Sequence, residues 1–462
     1  MSQVIKRAHG AMDMTQGSPA RLIVTFSLPL LVGNIFQQLY NMVDSIVVGN
    51  YVGASALTAV GTGFPVVFLL ASLFIGFAMG ATVMIAQYIG AGDQASVART
   101  VDTLYSALLI LILPLSLLGV ALTTPLLTLI RVPGEAFDQA RVYCIVIFAG
   151  GVGSLGYNVN AGIMQGLGDS KTPLLFLAVA CVLNIILDLL FVLSFGLGVF
   201  GVALATIIAQ ICSWVFGIFY INWKYPFLHI RFLQMRIDRK LLGQIVRLGV
   251  PSAIHQCQFS VAILIMQALI NGFGNDFAAG FSAANKIDSF AFMPIQSFCT
   301  ATTTFVGQNM GAGQLDRVKQ GTRSALLVST AVCLVMTAIV IPLRRPLLML
   351  FNRESAVVAA GEAYLLRVLT PMFVLAVMFI LSSVLRGAGA TMVPMAASIV
   401  SQWGARLPAA YLLARWFGPE ELYWSYLIGW ILGLAICLVS YGRGRWKDKC
   451  VVVQPRESCG DG

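Results

Sequence analysis

The sequence is poor in charge. Asp, Glu, Lys and Arg together make up 10% of its 462 residues, where soluble globular chains carry about 25%. With 58% hydrophobic residues, that deficit excludes a soluble fold. Histidines number three, and no two of the nine cysteines stand at CxxC spacing, so neither a His/Cys metal centre nor a disulfide framework is expected. Asp-rich and His motifs at a membrane interface are missing as well, which removes support for a membrane-embedded prenyl or acyl transferase, and no enzyme activity is expected. The ~10-residue alternating segments of a transmembrane barrel do not occur. No polar stretch between apolar runs is long enough to fold as a separate soluble domain. The opening MSQVIKRAHGAMDMTQGSPAR lacks the apolar core and cleavage site of a signal peptide, so it reads as a cytosolic leader.

Apolar runs are what the chain has. Segments long enough to cross ~30 Å of hydrocarbon recur at 22–48, 57–86, 101–123, 139–164, 173–195, 199–222, 247–271, 281–306, 323–343, 363–385, 393–415 and 423–441. They predict an all-α integral membrane protein of twelve spans. With the amino terminus inside, about twenty of the Lys and Arg residues fall on cytoplasmic segments, among them Lys6, Arg7, Lys224, Arg231, Arg236, Arg239, Lys240, Arg443, Arg445, Lys447 and Lys449. This bias accounts for the net charge of +10 without a nucleic-acid partner. Arg344 and Arg345 run against it, on an expected outer loop. Cys450 and Cys459 stand on an expected cytoplasmic tail, where acylation is conceivable.

The chain also repeats itself. AQYIGAGDQASVA from Ala86 matches GQNMGAGQLDRVK from Gly307, and QGLGDSKTP from Gln165 matches RGAGATMVP from Arg386, both 221 residues apart. Two six-span halves follow, at 1–225 and 247–445, joined by a basic cytoplasmic linker at 226–246 and followed by a tail at 446–462. Parallel repeats of this kind characterise transporters that bind substrate between the halves. The paired glycines Gly90, Gly92, Gly311 and Gly313, and again Gly166, Gly168, Gly387 and Gly389, are expected to end helices in tight turns. GLGDSKT lacks the glycine before Lys171 that a phosphate loop needs.

Within the spans, ionisable groups are costly and mark function. The first half offers Asp44 and Asp188. With Thr206 they fall ~6–11 Å below the outer surface at 1.5 Å per residue, so one site can hold all three. Asn184 lies one turn from Asp188. Gln37, Tyr40 and Asp44 form one polar stripe. Carboxylates, an amide and a hydroxyl suit an alkali cation as well as a shared proton, and the two ions are not separated by this chemistry. The second half carries no matching carboxylate. It offers His255, Gln256, Gln258 and Arg406, and an Asp288 for which a local pair with Lys286 is expected.

VDSIVVG from Val43, GAGD, QGLGDSKTP, the Asn184–Asp188 pair and RLP from Arg406 together resemble the multidrug and toxic-compound extrusion (MATE) family, closest to its bacterial DinF- and MepA-like members. The resemblance covers all twelve spans. It implies two six-helix lobes arranged as a V and export of amphipathic, mostly cationic drugs against inward H⁺ or Na⁺, without a cofactor. It further implies a cation site at Asp44, Asn184, Asp188 and Thr206, which would be metal ligands only if the ion is Na⁺. A drug pocket would be lined by Gln37, Tyr40, Tyr143 and Asn158, with Gln256, Gln258 and Arg406 from the second half. The expected setting is the bacterial inner membrane, with both termini cytoplasmic and the chain a monomer in contact with lipid. A flippase for lipid-linked precursors is the alternative, though it calls for several cavity cations.

Overall fold

In a computed structural model of the protein, residues 11–130, 132, 134–230 and 236–452 are described. Lys6, Arg7, Arg231 and Cys459 lie outside them. The described residues are helical, without strands. The first lobe runs α1 (Pro19–Val47), α2 (Ala54–Gly90), α3 (Gln94–Leu129), α4 (Gly134–Ala149), α5 (Gly151–Leu167), α6 (Lys171–Leu189) and α7 (Gly198–Lys224). The second runs α8 (Arg239–Asn271), α9 (Asn275–Gly311), α10 (Leu315–Met349), α11 (Ser355–Leu369), α12 (Met372–Gly387), α13 (Met392–Ile399), α14 (Leu407–Phe417) and α15 (Trp424–Gly442).

These helices make the twelve spans, with differences that have local causes. The expected spans at 139–164 and 363–385 are each two helices, α4–α5 bent by 53° and α11–α12 bent by 48°. Gly150 breaks the first and Pro371 the second. The eleventh span joins α13 to α14 through a widened π-type segment, Val400–Arg406. Similar segments extend α1 (Val48–Val52) and α6 (Leu190–Ser194). α8 starts at Arg239, inside the expected linker, because Asp238 caps it by accepting from the backbone N–H groups of Lys240 and Leu241. Seven helices and the two bent pairs are long and apolar enough to cross a membrane by themselves. α9 needs less apolarity: its second half, TATTTFVGQNM, is almost wholly buried against helices of both lobes.

Arg344 and Arg345 are not on a loop. Both lie within α10, and Arg344 Nε pairs with Glu362 Oε1 at 3.3 Å, which offsets its charge at that end.

The paired glycines divide into two roles. Gly92, Gly168, Gly313 and Gly389 take φ of 77°, 89°, 72° and 93°, the left-handed turns expected of them. Gly90, Gly166, Gly311 and Gly387 do not. They are helical and serve close approach instead. A Cβ on Gly90 would stand 1.8 Å from Gln308 O, and one on Gly311 1.8 Å from Gln87 O. The repeat is thus visible as a reciprocal crossing, with α2 and α9 pressed backbone to backbone where the lobes meet.

The first and last described segments, at 12–14 and 449–451, reinforce this crossing, and they mark the termini face of the molecule. Met12 N donates to Gly168 O (2.9 Å), and Met14 N to Gln308 Oε1 (3.0 Å). Asn309 and Arg317 donate to Met14 O. At the other end, Val451 N donates to Gln87 Oε1 (2.7 Å), while Lys449 O lies over Gly389 as Met12 O lies over Gly168. Each end thereby ties one lobe to the other. Cys450 is half-buried with its Sγ turned to Gln87 Oε1 and Met310 O, so it is not presented for acylation. Replacing Gln87 with Ala removes the acceptor for Val451 N and the donor to Gly387 O. Tryptic cleavage after Lys449 is expected to be several-fold faster in Gln87→Ala than in the parent chain, as intact mass would show.

Candidate functional site

α1, α6 and α7 converge in the first lobe and bring the expected cation-site residues together. α1 carries Gln37, Tyr40 and Asp44 on one side. The Tyr40 hydroxyl reaches Thr206 Oγ1 on α7 at 3.5 Å, and that hydroxyl donates to Val202 O at 3.0 Å. Asn184 sits between the two carboxylates. With its amide turned so that both faces are satisfied, its nitrogen donates to Asp44 Oδ1 (2.9 Å) and Asp188 Oδ2 (3.1 Å), while its oxygen accepts from Thr206 N (3.2 Å). Asn184 and Asp188 are fully buried. One oxygen is left over: Asp188 Oδ1 is buried and has no partner among the described residues. Buried polar atoms are rarely left so, and an unpaired carboxylate oxygen is where a proton or a small cation gains most.

The pocket residues expected from the resemblance are less concentrated. Gln37 and Tyr40 line a small cavity of about 30 Å³ with Tyr157, Cys181 and Gln210, one turn deeper than the carboxylates. Tyr143 packs on Gly63 and against the valine cluster at the ends of α1 and α6. Asn158 donates to Ser154 O and lines a separate cleft between the lobes, about 310 Å³, which Gln256 also lines. Gln258 is committed elsewhere: it bonds His255 O and Ser398 and accepts from Trp403 Nε1 (3.2 Å). It lines neither large cavity, because these bonds turn its amide into the packing between α8 and the eleventh span.

The second lobe holds its own chamber of about 220 Å³, and Arg406 lines it. Its guanidinium stacks 3.6 Å from the Tyr426 ring centroid, and Nη1 donates to Gln402 Oε1 (2.9 Å). Asp288 faces the same chamber and accepts from the Tyr364 hydroxyl at 3.0 Å. The expected pair with Lys286 does not form. Two residues along a helix point apart, and Lys286 Nζ lies over the Phe351 ring instead.

Two residues escaped the sequence reading. Arg386 ends α12 and lines both the cleft and the second-lobe chamber. In sequence it is one more Arg at a span end. Asp169, in the GLGDSKT turn, is buried and accepts from the backbone N–H groups of Lys171 and Thr172, from the Thr172 and Tyr225 hydroxyls, and from Lys224 Nζ at 2.7 Å. Its own carboxylate occupies the start of α6, where a phosphate loop would hold phosphate. An Asp in a glycine turn just ahead of an apolar run is the signal that points to such a cap. Asp169→Ala leaves Lys224 without its buried partner and is expected to cost about 3–5 kcal/mol, read as a lowered Tm of the detergent-purified protein.

The fold and these sites are those of a helical transporter. The MatE family model matches residues 29–190 and 251–412, two equal stretches that coincide with the repeat. The chain belongs to that family. It is 29% identical over 438 residues to the Probable multidrug resistance protein YpnP of Bacillus subtilis, covering 95% of this chain and 98% of that one. It is 27% identical over 377 residues to a protein named FAD transporter from Shewanella oneidensis, covering 78% and 80%. A crystal structure of a MATE protein in complex with MaL6 superposes with a TM-score of 0.85 at 25% identity, covering 94% and 98%.

Proposed function

We propose that this chain is a secondary antiporter that exports amphipathic, mostly cationic organic compounds, driven by inward H⁺ or Na⁺. The observation that carries the coupling site is the Asp44–Asn184–Asp188 arrangement with its unpartnered, buried Asp188 Oδ1. The names of the multidrug relatives support the cargo class. Binding of the ion would neutralise the carboxylates and relax the Asn184 bridge that joins α1 to α6. The energy so gained in one lobe geometry is the coupling free energy available to release the drug. The termini face is then cytoplasmic, in a bacterial inner membrane, and the reciprocal α2–α9 crossing closes that side. Trypsin cleaving the chain ends only in inside-out vesicles is the result expected for that orientation.

The test is dye efflux from proteoliposomes under a proton gradient alone and a sodium gradient alone. Ethidium export driven by one or both supports the reading, and export indifferent to both overturns the coupling. The flippase alternative needs a cationic chamber, and the second lobe carries two arginines. Movement of a fluorescent lipid-linked precursor without dye transport would favour it.

A further inference from the structure

The two lobes have opposite polarity. The first-lobe site is built on two carboxylates, Asp44 and Asp188. The second-lobe chamber is lined by two guanidiniums, Arg386 and Arg406, against one carboxylate, Asp288. We propose that this chamber is a distinct binding site for an aromatic compound bearing an anionic group, a carboxylate or a phosphate, held at Arg386 and Arg406.

The chemistry rests on groups left unused. Arg406 is 5% exposed, and its Nε has no partner. Its stacking on Tyr426 and its bond to Gln402 fix the guanidinium plane and leave that N–H free. Arg386 makes no hydrogen bond or ion pair among the described residues, although it stands inside the protein between two cavities. A cation in the last turn of a helix commonly serves the helix's own carbonyls. Here those carbonyls are already taken. Val384 O, Leu385 O and Arg386 O accept from the N–H groups of Ala388, Ala390 and Gly389, and Gly387 O accepts from Gln87 Nε2. The Arg386 side chain therefore has no structural acceptor, and its half-buried guanidinium is left facing the two cavities it lines. Asp288 accepts from Tyr364 through Oδ2, keeps a buried Oδ1 without a partner, and forms no salt bridge with either arginine among the described residues, so at most one of the two positive charges is offset.

The remaining walls select for rings. Phe259, Phe292, Phe379, Tyr426 and Trp430 line the chamber. Arg386, His255 and Phe379 line both the chamber and the cleft between the lobes, which gives a ligand a way in. A planar acid with its ring among the aromatics and its anion toward the guanidiniums satisfies both halves of the lining, because Arg forms paired charge-assisted hydrogen bonds with carboxylate and phosphate.

This inference goes beyond the transport reading and is tested by binding alone, so either can fail without the other. Equilibrium dialysis of the detergent-purified full chain would compare naphthalene-2-carboxylate with naphthalene-2-carboxamide, which share ring and size and differ in charge. The acid is expected to bind at least about tenfold more tightly, since a hydrogen bond to a charged group outweighs a neutral one by about that factor. Arg386→Gln, with Arg406 still in place, should cut the preference several-fold, and Arg386→Lys should keep most of it. Equal binding of acid and amide to the parent chain overturns the proposal, whatever the variants do. So does an undiminished preference in folded Arg386→Gln. Tighter binding of short-chain phosphatidylglycerol than of the naphthoate would give the guanidiniums to a lipid headgroup and overturn it too.

Discussion

Asp188→Asn is expected to lower gradient-driven dye efflux to the level of protein-free vesicles while the protein inserts and purifies as the parent does. Asparagine keeps the shape of the side chain and can still accept the Asn184 amide N–H that Asp188 Oδ2 accepts now. It cannot take up a proton, and it brings no charge to a sodium ion. Folding should survive the exchange, because the lost group is an oxygen to which no donor is turned among the described residues. Asp44→Asn removes the other carboxylate of the pair and should behave alike. Asn184→Ala differs in kind. Both carboxylates remain, but their shared donor is gone, and losing hydrogen bonds to charged groups costs about 1.5–3 kcal/mol each. A loss of about tenfold or more in coupled rate, short of abolition, is expected for it. Efflux by Asp188→Asn at the parent rate, measured in proteoliposomes under the gradient that drives the parent, would remove the residue from the coupling role.

Much of this arrangement was legible before the fold was known, for a simple reason. Helix rise is fixed, so counting residues from the span ends placed Asp44, Asp188 and Thr206 at one depth, and periodicity placed Asn184 beside Asp188. The repeat was equally legible, because a close backbone crossing tolerates only glycine and leaves the same letters in both halves. Packing partners were not. Nothing in QCQ around Cys257 says that Gln258 is spent on Ser398 and Trp403 while Gln256 faces the cleft. Arg386 reads as an ordinary cation at the end of a span until the carbonyls beside it are found occupied. The bends at Gly150 and Pro371 left a trace in residue type, but apolar runs pass straight through them, and hydropathy alone cannot register a 53° turn.

The glycine crossing carries the second large effect. In Gly311→Val the new Cβ would stand 1.8 Å from Gln87 O, and 2.6 Å from the carbon of the same peptide. Those are backbone atoms in the last turn of α2, so no side-chain rotation relieves the clash, and a branched residue adds two more carbons to it. The three atoms nearest the new Cβ all belong to Gln87 of the other lobe, so separation of α2 from α9 is the direct relief. A shift from 1:99 to 99:1 between two arrangements needs about 5.5 kcal/mol, a cost that a steric overlap of this depth readily reaches. Gly311→Val is therefore expected to hold the termini face open and to stop transport. Cys299 is a native reporter for that opening. It is free, buried at 7% exposure, and lines the cleft just beyond the crossing. A membrane-impermeant maleimide supplied from the termini side should modify it more than tenfold faster in the variant, resolved by peptide mass spectrometry. Gly90→Val, whose Cβ meets Gln308 O at the same 1.8 Å, should give the same labelling. The agreement matters because the two substitutions lie in different lobes and share only the crossing. If Cys299 stays protected in both while the protein remains folded, the crossing is not what closes that face.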